Sequence, residues 1–286
     1  MRVVLVFISL ILLQLSSFSM DTTVYCPKTP YNLSSNMGSK IAKYSGANFL
    51  TKQLIENLLK NTLKKELNTD FDVNLKPFDN NNLLNGKFQS LSVFGQNASK
   101  NGLFFSTISA QTVCGFNHIK YENETLYFVE NMVVKFSARM NEDDLNKIIN
   151  SNEYVNYIKN MKIKANSNVL AEISQIETKI ENNKINLKIN ILIPFVFGTL
   201  PQSIDITTGL NIENGKIVLD NIKSQNQLIA FLLQNSDAFI SKINPFVFKV
   251  QTKDKYDIML NVENVKIDNN EIFINGTLVV PKNYEK

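Results

Sequence analysis

The chain has 286 residues, 44% of them hydrophobic and 20% charged, with a formal net charge of +4. That is enough apolar material for one sizeable domain or two smaller ones. Lys and Asp/Glu alternate without a basic block, which excludes the concentrated cationic face of a nucleic-acid binder; the mild excess of positive charge suits an anionic membrane surface.

The chain opens with "MRVVLVFISLILLQLSSFSM": one cation (Arg2), an apolar run from Val3 to Leu15, then Ser17 and Ser19. This is the layout of a secretory signal peptide cleaved near Ser19, and it predicts a protein exported to the periplasm, cell envelope or medium. The run is shorter than the roughly 20 apolar residues that span a bilayer. Residues 20–47 are polar and aperiodic, an N-terminal arm, and residues 48–286 are expected to form a single domain. The two cysteines, Cys26 and Cys114, have two readings in an oxidising compartment. They form one bridge, or they are separate thiols with Cys114 buried as a small hydrophobe.

Within "NFLTKQLIENLLKNTLKKEL", Leu50, Leu54, Ile55, Leu58, Leu59, Thr62, Leu63 and Leu67 recur at helical spacing, with Lys52, Glu56, Lys60 and Lys64 largely opposite. This predicts an amphipathic helix lying on a sheet, with a membrane-lying helix as the alternative. The pattern then turns to strands in "GKFQSLSVFGQ", "GLFFSTISAQTV" and "TLYFVENMVVKFSARM". In the third, Leu126, Phe128, Met132, Val134, Phe136 and Ala138 share one face, which Glu130 interrupts at a position that suits a bulge or a rim. A short helix follows, with Asn141 as N-cap and Glu142, Asp143 and Asp144 in the first turn, where carboxylates suit the helix dipole.

Three turns then repeat one device: "IENNKI", "IENGKI" and "IDNNEI". Asn and Gly tolerate positive φ, so hairpins are expected over 162–195, 203–222 and 255–281. Between the last two, residues 225–245 read as another apolar-striped helix ending at Pro245. The fold class is therefore α+β: a long curved antiparallel sheet of hairpins with amphipathic helices packed on it.

Catalytic constellations are scarce. His118 is the one histidine, so any Ser-His-Asp or Cys-His machinery would run through it. Cys114 and His118 alone fall short of the four ligands zinc favours. There is no nucleophile elbow, phosphate-binding loop or dinucleotide fingerprint. Four N-x-[ST] sequons, at Asn32, Asn97, Asn123 and Asn275, signify glycans only in a eukaryotic secretory pathway. The expectation is a protein that is not an enzyme and uses no metal or cofactor.

What the chain does carry is long alternating strands. In "KINLKINILIPF", Ile185, Leu187, Ile189, Ile191, Ile193 and Phe195 share one face. Ile204 to Ile212, Tyr256 to Val262 and Ile272 to Val280 keep the same beat. Periodicity alone leaves open whether these dry faces close a filled core or a lipid-sized groove.

The layout resembles the LmeA family of phospholipid-binding cell-envelope proteins, related to the tubular lipid-binding (TULIP-like) fold. The resemblance covers about Asn48 to Pro281. It rests on the opening helix, "LLNGKFQSLSVFGQNASKNGLFFSTISAQTVCGF", the polar-capped Asp144-Leu145-Asn146 of "VVKFSARMNEDDLNKII", and the closing "NPFVFKVQTKDKYDIMLNVENVKIDNNEIFINGTLVVP". It implies an elongated hydrophobic groove for acyl chains, and with it a non-enzymatic protein that holds or carries a phospholipid or glycolipid with transient membrane contact. The expected lining is Phe128, Met132, Val134, Phe136, Leu187, Ile189, Ile191, Ile193 and Ile258. The alternative is an envelope scaffold with a filled core that binds a partner protein.

Overall fold

The computed structural model describes residues 24–28, 33, 47–122, 125–158, 162–165, 168–196, 198–224, 243–246 and 259–282. The signal-peptide segment, most of the arm, the expected helix up to residue 242, and Ile258 lie outside them. Among the described residues the order is α1 (Ala47–Leu67), β1 (Phe71–Pro77), α2 (Asn80–Leu84), β2 (Lys87–Lys100), β3 (Leu103–Thr112), β4 (Asn117–Glu122), β5 (Thr125–Phe128) and β6 (Met132–Met140). Then come α3 (Glu142–Ile149), α4 (Asn152–Ile158), β7 (Lys162–Ala165), β8 (Asn168–Glu181), β9 (Lys184–Phe195), β10 (Gly198–Glu213), β11 (Lys216–Ser224), β12 (Met259–Asp268) and β13 (Glu271–Val280). The class is α+β and the pairing is antiparallel throughout.

The strands form two sheets instead of the one long sheet expected. The larger runs β12-β13-β6-β3-β2-β4-β5 with β1 also on β2, and the smaller runs β11-β10-β9-β8-β7. Periodicity marks which face of a strand is dry but carries no information about its neighbour, so the division was invisible in the pattern. The turns are where the Asn-rich pairs put them. Asn182 and Asn183, Asn214 and Gly215, and Asn269 and Asn270 all have φ between 50° and 62°, which a two-residue hairpin loop demands.

One further expectation is made specific and another is corrected. The interruption at Glu130 is a bend that divides the run 125–140 into β5 and β6. There Asn131 donates from Nδ2 to the Tyr25 carbonyl and accepts from the Lys282 N–H, joining both ends of the described chain to the gap. The apolar stripe of α1 is not buried as a whole: Leu63 and Leu67 are core, but Leu54 and Leu58 are each 65% exposed. Glu56 turns inward instead, accepting the Leu75 N–H at 2.7 Å. It satisfies a donor of β1, which pairs with β2 alone, and that orientation rotates Leu54 and Leu58 away.

α3 joins the sheets. Asn141 caps it, and Asp144 closes a capping box. Asp144 also accepts from Ser106 of β3. Glu142 accepts the Ile180 N–H of β8, and Asn146 bonds both backbone groups and the hydroxyl of Thr178. Leu145 and Ile148 are fully buried between them. Inward side chains of both sheets, from Val73 and Val93 to Ile189 and Ile206, form one continuous core.

Cys26 and Cys114 are bonded to each other, with Cα atoms 5.4 Å apart. The bridge seats Tyr25 and Cys26 on a small apolar cluster of Cys114, Val133 and Val279, with Val113 and Met259 beside it. That cluster lies on the face of the larger sheet away from the main core. Because the crosslink spans 88 residues, replacing both cysteines with serine should lower unfolding stability by about 2–4 kcal/mol in a denaturant titration. Stability unchanged within error would mean the arm contributes nothing to the fold.

Candidate functional site

Alternation in β9 aims every second side chain at the core, and the burial of the strand changes along its length. Ile185, Leu187 and Ile189 are shut away, Ile189 at 0% exposure, and Ile191 is nearly so. Ile193 is half-buried, and Phe195 on the same face is 53% exposed. Across the pair, Ile204 faces Ile189 and Leu200 faces Ile193, with Gln202 between them opposite Ile191, so the unbroken apolar stripe is that of β9 alone. The apolar residue count of this strand exceeds what closing the core uses.

Of the residues expected to line a lipid groove, Phe128, Met132, Val134, Phe136, Leu187, Ile189 and Ile191 belong to the continuous core, and Ile193 packs against its edge. Burial this complete leaves almost no water-sized space against them, so they close on one another and on their neighbours. Ile258 falls outside the described residues. The residues of the stripe open to solvent are Ile193 and, beyond it, Phe195, with Leu200 across the pair.

A different cleft lies on the outer face of the larger sheet. It encloses about 570 Å³ and is bordered by Asp72, Asn74, Ser92, Phe94, Gln111 and Glu263, among others. Phe136 borders it too, but its ring belongs to the core. Cross-strand register explains the composition: Asp72, Phe94, Ser109, Ser137 and Asn275 form one row over five strands. This is the wet face of a sheet whose other side is packed. The signal for it was the run of Ser, Thr and Gln between the apolar positions of β2 and β3. Glu263 accepts from the Thr277 hydroxyl.

The groups singled out for catalysis do not come together. The Cys114 sulfur is spent in its bridge and offers no thiolate nucleophile. His118 lies on β4 opposite Lys87, with the Phe116 ring edge-on at 6.2 Å. Burial, and then the Lys87 and Lys120 ammoniums, hold its imidazole below the usual histidine range. The ring is therefore neutral at pH 7. Among the described residues no cluster of His, Cys, Asp and Glu could hold a metal ion, and no helix is long and apolar enough to cross a membrane. No protein-family model, no curated protein and no solved structure matches the chain.

Proposed function

We propose that the protein is an exported, non-enzymatic lipid-binding protein that takes phospholipid or glycolipid acyl chains along the apolar stripe of β9, in the manner of the LmeA-like, TULIP-like proteins its sequence resembles. The observation that carries the reading is the gradient of that stripe: sealed at Ile189, half-open at Ile193, exposed at Phe195. A strand that served only the core would turn polar where the core ends. Along β9 the apolar residues continue past the core's edge, so an acyl chain would lie on Ile193 and Phe195 and reach further in only where the core opens. Each methylene moved from water onto such a surface contributes about 0.8 kcal/mol before ordering costs. The Cys26–Cys114 bridge supports an oxidising compartment outside the cytoplasm.

The packed state of Phe128, Met132, Leu187 and Ile189 favours the second reading, a scaffold whose interior is core and nothing more. Native mass spectrometry of the protein purified from its host, followed by solvent extraction, separates the two. A bound mass released and identified as phospholipid or glycolipid is the expected result. A protein that is always empty, and takes no lipid from short-chain phospholipid below its micelle concentration, would leave the scaffold.

A further inference from the structure

The β9–β10 hairpin ends in an apolar tip. Among the described residues β8 is in register with β9 as far as Leu192, opposite Glu172. From Leu192 opposite Pro201 the two strands stay paired with each other down to Phe195 opposite Gly198, a two-stranded ribbon roughly 10 Å long at about 3.4 Å per residue. Phe195 is exposed, Leu200 is half in solvent, and Val196 at the apex is 90% exposed.

The ribbon carries no formal charge. Residues 189–204 contain no Asp, Glu, Lys or Arg in a chain that is 20% charged. The first charges are Lys188 and Asp205, directly opposite one another where the ribbon enters the body. Pro194 and Pro201 sit on opposite strands of the ribbon and have no N–H, so neither edge there offers a full row of donors to a third strand. That weighs against a second copy, or any partner, adding a strand. A protein partner would also be expected to make about one hydrogen bond per 100–200 Å², and the apex supplies apolar side chains with Thr199 as the one hydroxyl beside them. A bilayer interface asks for no such partners. It accepts aromatic and aliphatic side chains, and a ribbon whose inner backbone groups are paired and whose edges are short of donors is suited to shallow immersion.

We infer that the β9–β10 hairpin tip is a membrane-docking element: Phe195, Val196 and Leu200 enter the interfacial region of a lipid bilayer, and the uncharged ribbon stands between that surface and the body of the protein. The inference rests on the lipid-binding reading for its choice of partner, and deepens it by naming where lipid arrives. The stripe that begins at the immersed Phe195 continues through Ile193 to the interior. Because the tip carries no charge, docking depends on apolar contact and is insensitive to salt.

The chain has no tryptophan, so Val196→Trp places a single reporter at the apex. With vesicles of phosphatidylcholine containing one-fifth phosphatidylglycerol, its emission should shift to the blue and be quenched by lipids brominated near the headgroup end of the acyl chain. Both effects should persist in 0.5 M salt. In the otherwise native protein, Val196→Asp with Leu200→Glu should reduce vesicle co-sedimentation at least tenfold, since both positions are exposed and their replacement leaves the core untouched. No blue shift, or co-sedimentation unchanged by the paired substitution, overturns the docking assignment. A blue shift that grows with protein concentration in the absence of vesicles overturns it too, in favour of contact between copies. The two readings fail separately. Short-chain phospholipid retained by a protein whose tip ignores vesicles would sink only the docking; a tip that docks on a protein retaining no lipid would sink only the carriage.

Discussion

Replacing Gly86 with alanine is expected to cost more than about 4 kcal/mol, beyond the range of ordinary point mutants. Gly86 sits between α2 and β2 at φ +74°, and a Cβ there would lie 1.7 Å from the Ile119 carbonyl oxygen and 2.9 Å from its carbon. Both are backbone atoms, so no rotamer change relieves the contact. Left-handed backbone by itself costs an alanine about 1 kcal/mol, which is the smaller part. The larger part is that Gly86 and Ile119 are hydrogen-bonded, the Ile119 N–H donating to the Gly86 carbonyl at 3.0 Å. Any relief of the clash pulls β4 off β2. The pairing at risk is only Lys87 with His118 and Phe88 with Asn117, and it holds β4 and β5 on the sheet. Phe88, Phe116 and Phe128 are buried there. Thermal unfolding and amide exchange at Ile119 and Val129 would report the loss; Gly86→Ala within 1 kcal/mol of the parent would show that β4 is held by other contacts.

That glycine was readable as the residue that starts a strand, but the reason it cannot be anything else was not. Local rules act over a few residues, and they located what depends on a few residues. The paired Asn turns at 182–183 and 269–270, the Asn141 cap and the dry face of β9 each follow from neighbours in sequence. The features that escaped are set by distant partners. The interruption at Glu130 was legible as a bulge or rim, but not that a bend at 129–131 ends one strand and starts another, with Asn131 tied to Tyr25 and Lys282. Glu56 reads as solvent-facing because a polar residue on a helix normally is, and nothing local to Asn146 points to a partner. Their true partners, Leu75 and Thr178, lie 19 and 32 residues away. For the candidate site, alternation showed that the stripe exists and which residues share it. It could not show how the burial of the stripe falls off toward the hairpin tip, since that depends on what the rest of the chain packs against it.

The second large effect is expected at Asn146, where replacement by leucine should cost about 3–5 kcal/mol. Beyond the short pairing with β7, β8 has no strand on its second edge among the described residues, and Thr178 on that edge is buried. The Asn146 amide supplies what a strand would have supplied. Its Oδ1 accepts from the Thr178 N–H at 3.1 Å and from the hydroxyl at 2.9 Å, and its Nδ2 donates to the Thr178 carbonyl at 3.0 Å. Leucine is close in size but leaves an N–H and a C=O buried without partners, at about 1–3 kcal/mol each. Aspartate retains the two acceptor contacts and loses the donor, so Asn146→Asp should fall between leucine and the parent. Asp143→Ala, on the exposed side of the same helix turn, should stay within about 0.5 kcal/mol. The position of α3 makes the result more than local. Its Asp144 holds β3 of the larger sheet while Asn146 holds β8 of the smaller, so the loss should appear as faster amide exchange at Thr178 and Ile180 with little change in β3. Equal protection of both sheets in Asn146→Leu would mean that the shared apolar core, and not the polar bolt, keeps them together. On the proposed lipid-binding reading, an acyl chain would then enter only by separating the core along its whole length, whereas a bolt at α3 would leave the hairpin end of β9 and β10 as the place to open.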